Sequence, residues 1–150
     1  MTTVSFYLLP SDAAQQRHQF ACKLIEKSYR SGCFCYVLTD TAEQSRFIDD
    51  LLWTFRAGSF VPHQLYTGEL PAIETVILIG SRNPPGHWQK NVINLSSQCP
   101  ENFQQAERIL EILDDSEDTK AAGRQRYRQY KEAGIAVATH KINPGIGDDN

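Results

Sequence analysis

The sequence lacks an excess of positive charge. Its 150 residues contain 15 lysines and arginines against 18 aspartates and glutamates, for a formal net charge of −3. Proteins that bind nucleic acid through their overall field are usually basic, so direct DNA binding would need a local patch. There is also no apolar run near the roughly 20 residues of a membrane span, and no basic segment of the kind that opens a signal peptide. We therefore expect a cytoplasmic protein without membrane contacts.

The usual motifs of metal and redox sites are also missing. No cysteine pair has C-x-x-C spacing, and the histidines share no ligand spacing. Two of the cysteines, Cys33 and Cys35, lie in an apolar run where alternating side chains would point to one face of a strand. The sequence therefore predicts free, packed thiols, no metal site and no cofactor. The residues concerned are Cys22, Cys33, Cys35, Cys99, His18, His63, His87 and His140.

No glycine-rich loop that could hold a phosphate follows any predicted strand. The first two strand-to-helix turns read PSD and TDT, and the loop at residues 80–86 contains two prolines that remove amide donors. A G-x-S-x-G nucleophile motif is absent as well, and the carboxylate pairs at 49–50 and 114–115 are typical of solvated or capping groups. We predict no catalytic residue, although a small nucleotide-dependent enzyme or a hydrolase stays an alternative.

Apolar runs typical of strands alternate with segments of helical periodicity, which predicts one α/β domain with a largely parallel sheet and helices on both faces. The predicted strands are residues 4–9, 33–38, 75–79, 91–95 and 135–140. The predicted helices are residues 13–30, capped by Ser11 or Asp12, a segment after the cap at 39–41 that runs to about Trp53, and residues 116–133. Residues 54–71 read as a long connection, and residues 109–113 fit either a helix end or a strand. Residues 143–150 read as a flexible tail.

The last predicted helix carries a stripe of cations around an aromatic ring. At about 100° per residue, its members fall within one sector of the helix surface: Lys120, Arg124, Tyr127, Arg128 and Lys131. Such a stripe often does no more than face water and complement the helix dipole. It also has the chemistry to capture a carboxylate-bearing, partly apolar peptide, or single-stranded nucleic acid.

A second patch of large apolar residues, Trp53 with the SFVPH segment at 59–63, lies at a helix end and in a loop. It fits either a satellite core under a long connection or, if Trp53 and Phe60 are exposed, the anchors of a protein interface.

These features resemble the chi subunit family of DNA polymerase III. The resemblance lies in the opening VSFYLL, the helix end YRSG at residues 29–32, the Leu-Trp pair before SFVPH at 59–63, and RQRYRQYKEAG at residues 124–134. The last two are the most specific, and Arg128 stands where the family often has lysine. The resemblance implies a Rossmann-like domain over residues 1–142 that binds no nucleotide, and it assigns residues 108–113 to a strand.

The resemblance also implies a non-catalytic adaptor in DNA replication. Its partners would be the psi subunit, which links chi to the clamp loader, and the acidic C-terminal peptide of single-stranded-DNA-binding protein, which ends in an apolar residue, so that nucleic acid is reached only indirectly. The peptide site would comprise Leu113, Lys120, Arg124, Tyr127 and Arg128. The psi-binding surface would comprise Trp53, Phe60, Val61, Pro62 and His63, where related chi proteins meet a helicase instead.

Overall fold

The computed structural model describes residues 1–143, which form seven strands and three α-helices. In chain order these are β1 Thr3–Leu8, α1 Ala14–Arg30, β2 Tyr36–Leu38, α2 Ala42–Thr54, β3 His63–Leu65, β4 Ile77–Gly80, β5 Asn91–Asn94, β6 Arg108–Leu113, α3 Glu117–Glu132 and β7 Ala136–Lys141. Short 3-10 helices cover Gly86–Gln89 and Phe103–Gln105. Of the tail predicted at 143–150, residues 144–150 lie outside the described residues.

The seven strands form one sheet in the order β3-β4-β2-β5-β6-β1-β7, and each neighbouring pair is parallel. Parallel sheets need cover on both faces, and two apolar clusters provide it. On one face α1 and α2 pack through Ile25, Ile48 and Leu52, and on the other α3 packs through Tyr130 beside Trp88 of the first 3-10 helix. The predicted α/β class, with a parallel sheet and helices on both faces, is confirmed.

Strand β6 resolves the segment that periodicity left ambiguous. Ile109 and Leu113 pack on the α3 side, whereas Leu110 and Ile112 pack on the side of α1 and α2. Because both faces of the strand are buried, apolar residues occupy adjacent positions as well as alternate ones, interrupted at Glu111, and this spacing imitates a helical pattern. The strand assigned through the family resemblance is therefore correct, and a helix end at these residues would have been wrong.

Three other predictions were wrong in detail. The connection at residues 54–71 contains the short edge strand β3, which is too short for a recognisable pattern. The predicted strand at 33–38 shrinks to β2, because the Cys33 amide donates to Ser28 O (2.9 Å) in the exit turn of α1 at Gly32. Helix α1 starts after Ala13, which provides no side-chain cap, and Ser11 Oγ only accepts from the Ala13 amide.

The remaining boundaries agree to within two residues, and the predicted cap of α2 is confirmed. Thr41 Oγ1 accepts a hydrogen bond from the Gln44 amide at 3.1 Å, as expected for an N-cap residue. All four cysteines are free, and burial raises the pKa of the Cys22 and Cys35 thiols to about 12.

Candidate functional site

Helix α3 begins and ends at recognisable signals. Ser116 precedes its first residue, and the carboxylate of Asp114 accepts hydrogen bonds from the Ser116 amide (3.0 Å) and hydroxyl (2.6 Å). The first turn carries Glu117 and Asp118, whose negative charges suit the helix N-terminus. At the other end Gly134 has a positive φ of 79°, which lets the chain turn directly into β7.

A buried charged network sets the rotation of α3 about its axis. Arg126 is only 1% exposed, and its Nε donates to Glu111 Oε1 on β6 at 3.0 Å. Tyr130 donates its hydroxyl to Glu111 Oε2 (2.6 Å), as does the side-chain amide of Asn94 (2.9 Å). Burial and the nearby Glu111 charge raise the pKa of Tyr130. Because Arg126 and Tyr130 face inward, the residues on the opposite side of the helix face outward.

The outward face of α3 is the predicted cationic stripe. Arg124, Arg128 and Lys131 are exposed, and Tyr127 keeps 38% of its surface accessible. Within residues 1–143, no carboxylate forms an ion pair with these three cations; Arg128 Nε only donates weakly to Arg124 O, at 3.4 Å. The Lys131 ammonium lies 6.0 Å from the centre of the Tyr127 ring. The stripe therefore faces solvent, and three of its cations lack an ion-pair partner among the described residues.

Lys120 differs from the other members of the stripe. Its side chain is 34% exposed, and its ammonium lies 3.3 Å from Asp115 Oδ1 and 3.4 Å from Glu117 Oε1. Hydrogen bonding to Asp115, together with the charges of Asp115 and Glu117, raises the pKa of Lys120. This cation is already partnered, so it is less available to a ligand than Arg124 or Arg128.

A cavity of about 350 Å³ opens beside the stripe. Its lining is almost entirely apolar, and the side chains of two exposed arginines, Arg124 and Arg128, contribute to it. The tilted rings of Phe6 and Tyr127, with centroids 5.7 Å apart, form one wall. The lining residues are Phe6, Leu8, Leu113, Gly123, Arg124, Tyr127, Arg128 and Thr139.

The cavity brings together Leu113, Arg124, Tyr127 and Arg128 of the predicted peptide site, while Lys120 lies outside its lining. Four lining residues were not predicted: Phe6, Leu8, Gly123 and Thr139. Phe6 and Leu8 alternate along β1 on the α3 side, but no sequence pattern shows that β1 lies between β6 and β7. Of these four, only Gly123 had a signal in the sequence, because a glycine inside a helix often marks a close contact. A Cβ at Gly123 would overlap the Leu113 side chain, so this glycine allows α3 to lie close to β6.

The second predicted surface divides into an exposed layer and a supporting layer. Trp53 and Phe60 are 57% and 66% exposed, with ring centroids 6.0 Å apart. Pro62 is half-buried, Val61 is buried, and the His63 side chain is 1% exposed beneath Trp53, at 4.8 Å between ring centroids. The exposed part of this surface is therefore an aromatic pair, which Val61 and His63 support from below.

Glu26 of α1 holds the loop that carries Phe60. Its nearly buried carboxylate lies 2.7 Å from Arg56 and 3.2 Å from Arg30, and it also accepts a hydrogen bond from the Ser59 hydroxyl. Burial by itself would raise the pKa of Glu26, but the bond from Ser59 and the charges of Arg56 and Arg30 hold that pKa below its usual value.

In the part of the chain that the structure describes, no group of three or more His, Cys, Asp or Glu side chains is arranged to hold a metal ion. Over the same residues, none of the helices combines the length and apolar character needed to span a bilayer.

Comparison with known proteins identifies relatives along nearly the whole chain. Residues 1–138 match the family described as DNA polymerase III chi subunit, HolC. Over 143 residues the chain is 33% identical to DNA polymerase III subunit chi of Pseudomonas aeruginosa, which covers 95% of this chain and 98% of the relative. The proteins of the same name from Haemophilus influenzae and Escherichia coli are 28% and 25% identical, each over 93% of this chain and 97% of the relative.

Proposed function

Because the chain belongs to the DNA polymerase III chi subunit family, we propose that it acts as an adaptor whose α3 cavity binds the acidic C-terminal peptide of single-stranded-DNA-binding protein. Membership of the family makes the protein an accessory subunit in DNA replication that is not itself catalytic. The peptide and the psi subunit are the specific partners of the proposal, and its setting is the cytoplasm.

One observation carries the proposal: an apolar cavity lined in part by two exposed arginines, with no described carboxylate paired with either of them. A peptide that ends in an apolar residue offers a side chain for the cavity and a terminal carboxylate for Arg124 or Arg128. Charge-assisted hydrogen bonds from arginine to carboxylate are among the stronger polar contacts in proteins. The Tyr127 ring, packed on Phe6, supplies a rigid wall for the bound side chain.

Lys120 has a smaller part in this arrangement. To reach the peptide, its ammonium would have to exchange Asp115 and Glu117 for new carboxylates. The exchange replaces one set of ion pairs with another, so its net gain is small. We therefore expect Lys120 to contribute less affinity than Arg124 or Arg128.

The charge distribution suits an adaptor better than a DNA-binding protein. A net charge of −3 disfavours contact with phosphates over most of the surface, whereas one cationic helix face attracts an acidic peptide. Direct binding of single-stranded DNA is the rival use of this face, but Tyr127 is the one exposed aromatic of the stripe, and stacked bases usually need several. Titration with fluorescent oligonucleotides, in the absence of the binding protein, tests this rival.

Isothermal calorimetry with the C-terminal peptide tests the proposal directly. We expect Arg124→Ala and Tyr127→Ala each to reduce affinity by about 1–3 kcal/mol, with weaker binding at higher salt. Arg46→Ala, which removes an exposed arginine from α2, is the matched control and should leave the affinity unchanged. Unchanged affinity in both α3 variants would refute the site.

The aromatic pair of Trp53 and Phe60 supports the second part of the proposal, docking of the psi subunit. Two adjacent large rings that are more than half exposed are typical anchors of a protein interface. A helicase is the alternative partner for the same surface, and competition between purified psi and helicase for the chain distinguishes them.

A further inference from the structure

We propose that the open edge of β7 extends the α3 cavity and pairs, backbone to backbone, with the acidic segment that precedes the peptide's terminal residue, with Lys141 as the cation of this extension. The inference rests on the proposed function and adds a second contact surface to it. The surface comprises the outer edge of residues 137–141, none of which belongs to the predicted peptide site.

Strand β7 lies at the end of the sheet and pairs with β1 on one side. Within residues 1–143, no strand pairs with its other side. The Ile142 amide donates to Leu8 O at 2.9 Å, so the even-numbered residues of β7 direct their backbone groups toward β1. In a parallel strand alternate residues point the opposite way, which leaves the amides and carbonyls of Val137, Thr139 and Lys141 at the open edge.

The open edge is continuous with the cavity through Thr139. This residue lines the cavity with its side chain while its backbone groups face the edge. If the last side chain of a peptide occupies the cavity beside Thr139, the preceding residues of the peptide run along the backbone amides and carbonyls of the open edge. Addition of an extended peptide to an exposed sheet edge is a common mode of peptide recognition, in which backbone hydrogen bonds supply affinity.

Lys141 supplies the charge that an acidic segment needs. It lies two residues after Thr139 and opposite Leu8 in the β1 register, and Leu8 also lines the cavity. Side chains two residues apart in a strand share a face, so the lysine points to the α3 side of the sheet, next to the cavity. Lys141 is exposed and has no ion-pair partner among the described residues. An edge lysine often serves only to block pairing with a second copy, and peptide titration together with sedimentation separates the two roles.

Calorimetry with two synthetic peptides tests the proposal. One is the acidic C-terminal peptide of single-stranded-DNA-binding protein, and the other is its terminal portion without the acidic segment. We expect Lys141→Gln to weaken binding of the longer peptide about two- to fivefold and to leave the shorter one unchanged. Lys90→Gln is the matched control, because Lys90 is an exposed lysine before the amino end of the central strand β5, whereas Lys141 lies at the carboxyl end of the edge strand β7.

Backbone pairing is tested with longer peptides that carry one N-methyl group each. If the peptide forms a strand on β7, methylation at every second residue should weaken binding about two- to tenfold, and methylation at the residues between should not. Equal affinities for all methylated peptides, together with unchanged binding to Lys141→Gln, would overturn the inference.

Arg124→Ala distinguishes the failure of this inference from failure of the proposed function. In one outcome, Arg124→Ala loses binding of both peptides, Lys141→Gln binds like the unaltered protein, and the methylated peptides bind like the unmethylated one. The cavity site then stands, and the contact with the β7 edge does not. If the unaltered protein binds neither peptide, both fall. Sedimentation with and without the longer peptide completes the test, because a dimer that persists when the longer peptide is bound would assign the edge to a second copy and overturn the proposal.

Discussion

Substituting Gly123 by alanine should separate the stability of α3 from the shape of its cavity. Gly123 is buried in the helix interior against β6. A Cβ at this position would overlap Leu113 Cδ1 and would lie 3.0 Å from Cδ2 and 3.3 Å from Cγ. The Leu113 side chain must then move. Because Leu113 lines the cavity, this movement changes the shape of the cavity.

Two opposing terms determine the stability of Gly123→Ala. Alanine is favoured over glycine in a helix interior by about 0.8–1.0 kcal/mol. Overpacking a well-filled contact costs about 1–3 kcal/mol. We therefore expect a net loss of about 0–2 kcal/mol in the free energy of unfolding, measured by urea denaturation.

The same substitution should have a larger effect on binding. If Leu113 is displaced into the cavity, a bound apolar side chain loses burial, which we expect to cost about 1–3 kcal/mol of peptide affinity by calorimetry. Ala121→Gly, at an exposed position of α3, is the control: it should cost about 1 kcal/mol of stability without changing the affinity. A Gly123→Ala protein that gains about 1 kcal/mol and keeps full affinity would refute the reasoning.

Three further outcomes follow from other contacts. Trp53→Ala should weaken binding of the psi subunit by about 2 kcal/mol in calorimetry, whereas Phe47→Ala, a matched exposed aromatic on α2, should not. Tyr130→Phe should lower the free energy of unfolding in urea by about 1–3 kcal/mol, because the buried Glu111 carboxylate loses a donor at 2.6 Å. Glu26→Gln should destabilise the protein at neutral pH and progressively less on acidification. The lowered pKa of Glu26 contributes stability above its unfolded value of about 4.3, and that stability is lost as pH falls through the folded pKa. The last prediction would be contradicted if the urea midpoints of the unaltered protein and of Glu26→Gln differed by the same amount at every pH.

The predictions from sequence were most accurate for features that depend on regular spacing within one helix or strand. The stripe on α3 faces solvent as its spacing predicted, because Arg124, Tyr127 and Arg128 occupy one side of a regular helix. The parallel sheet followed from the alternation of buried strands with amphipathic helices. The burial of Arg126 could not be predicted in this way, since its partner Glu111 is 15 positions away on another element.

The sequence by itself determined the periodic features of this protein: the α/β class, the cationic face of α3 and the glycine that ends it. These depend on residues close together in the chain, whose relative directions are set by helix and strand geometry. Only the tertiary structure decided that β1, β6 and β7 lie side by side beneath α3, and therefore that Phe6, Leu113 and Thr139 share one cavity. Contacts between distant segments depend on strand order and close packing, which no local pattern of residues records.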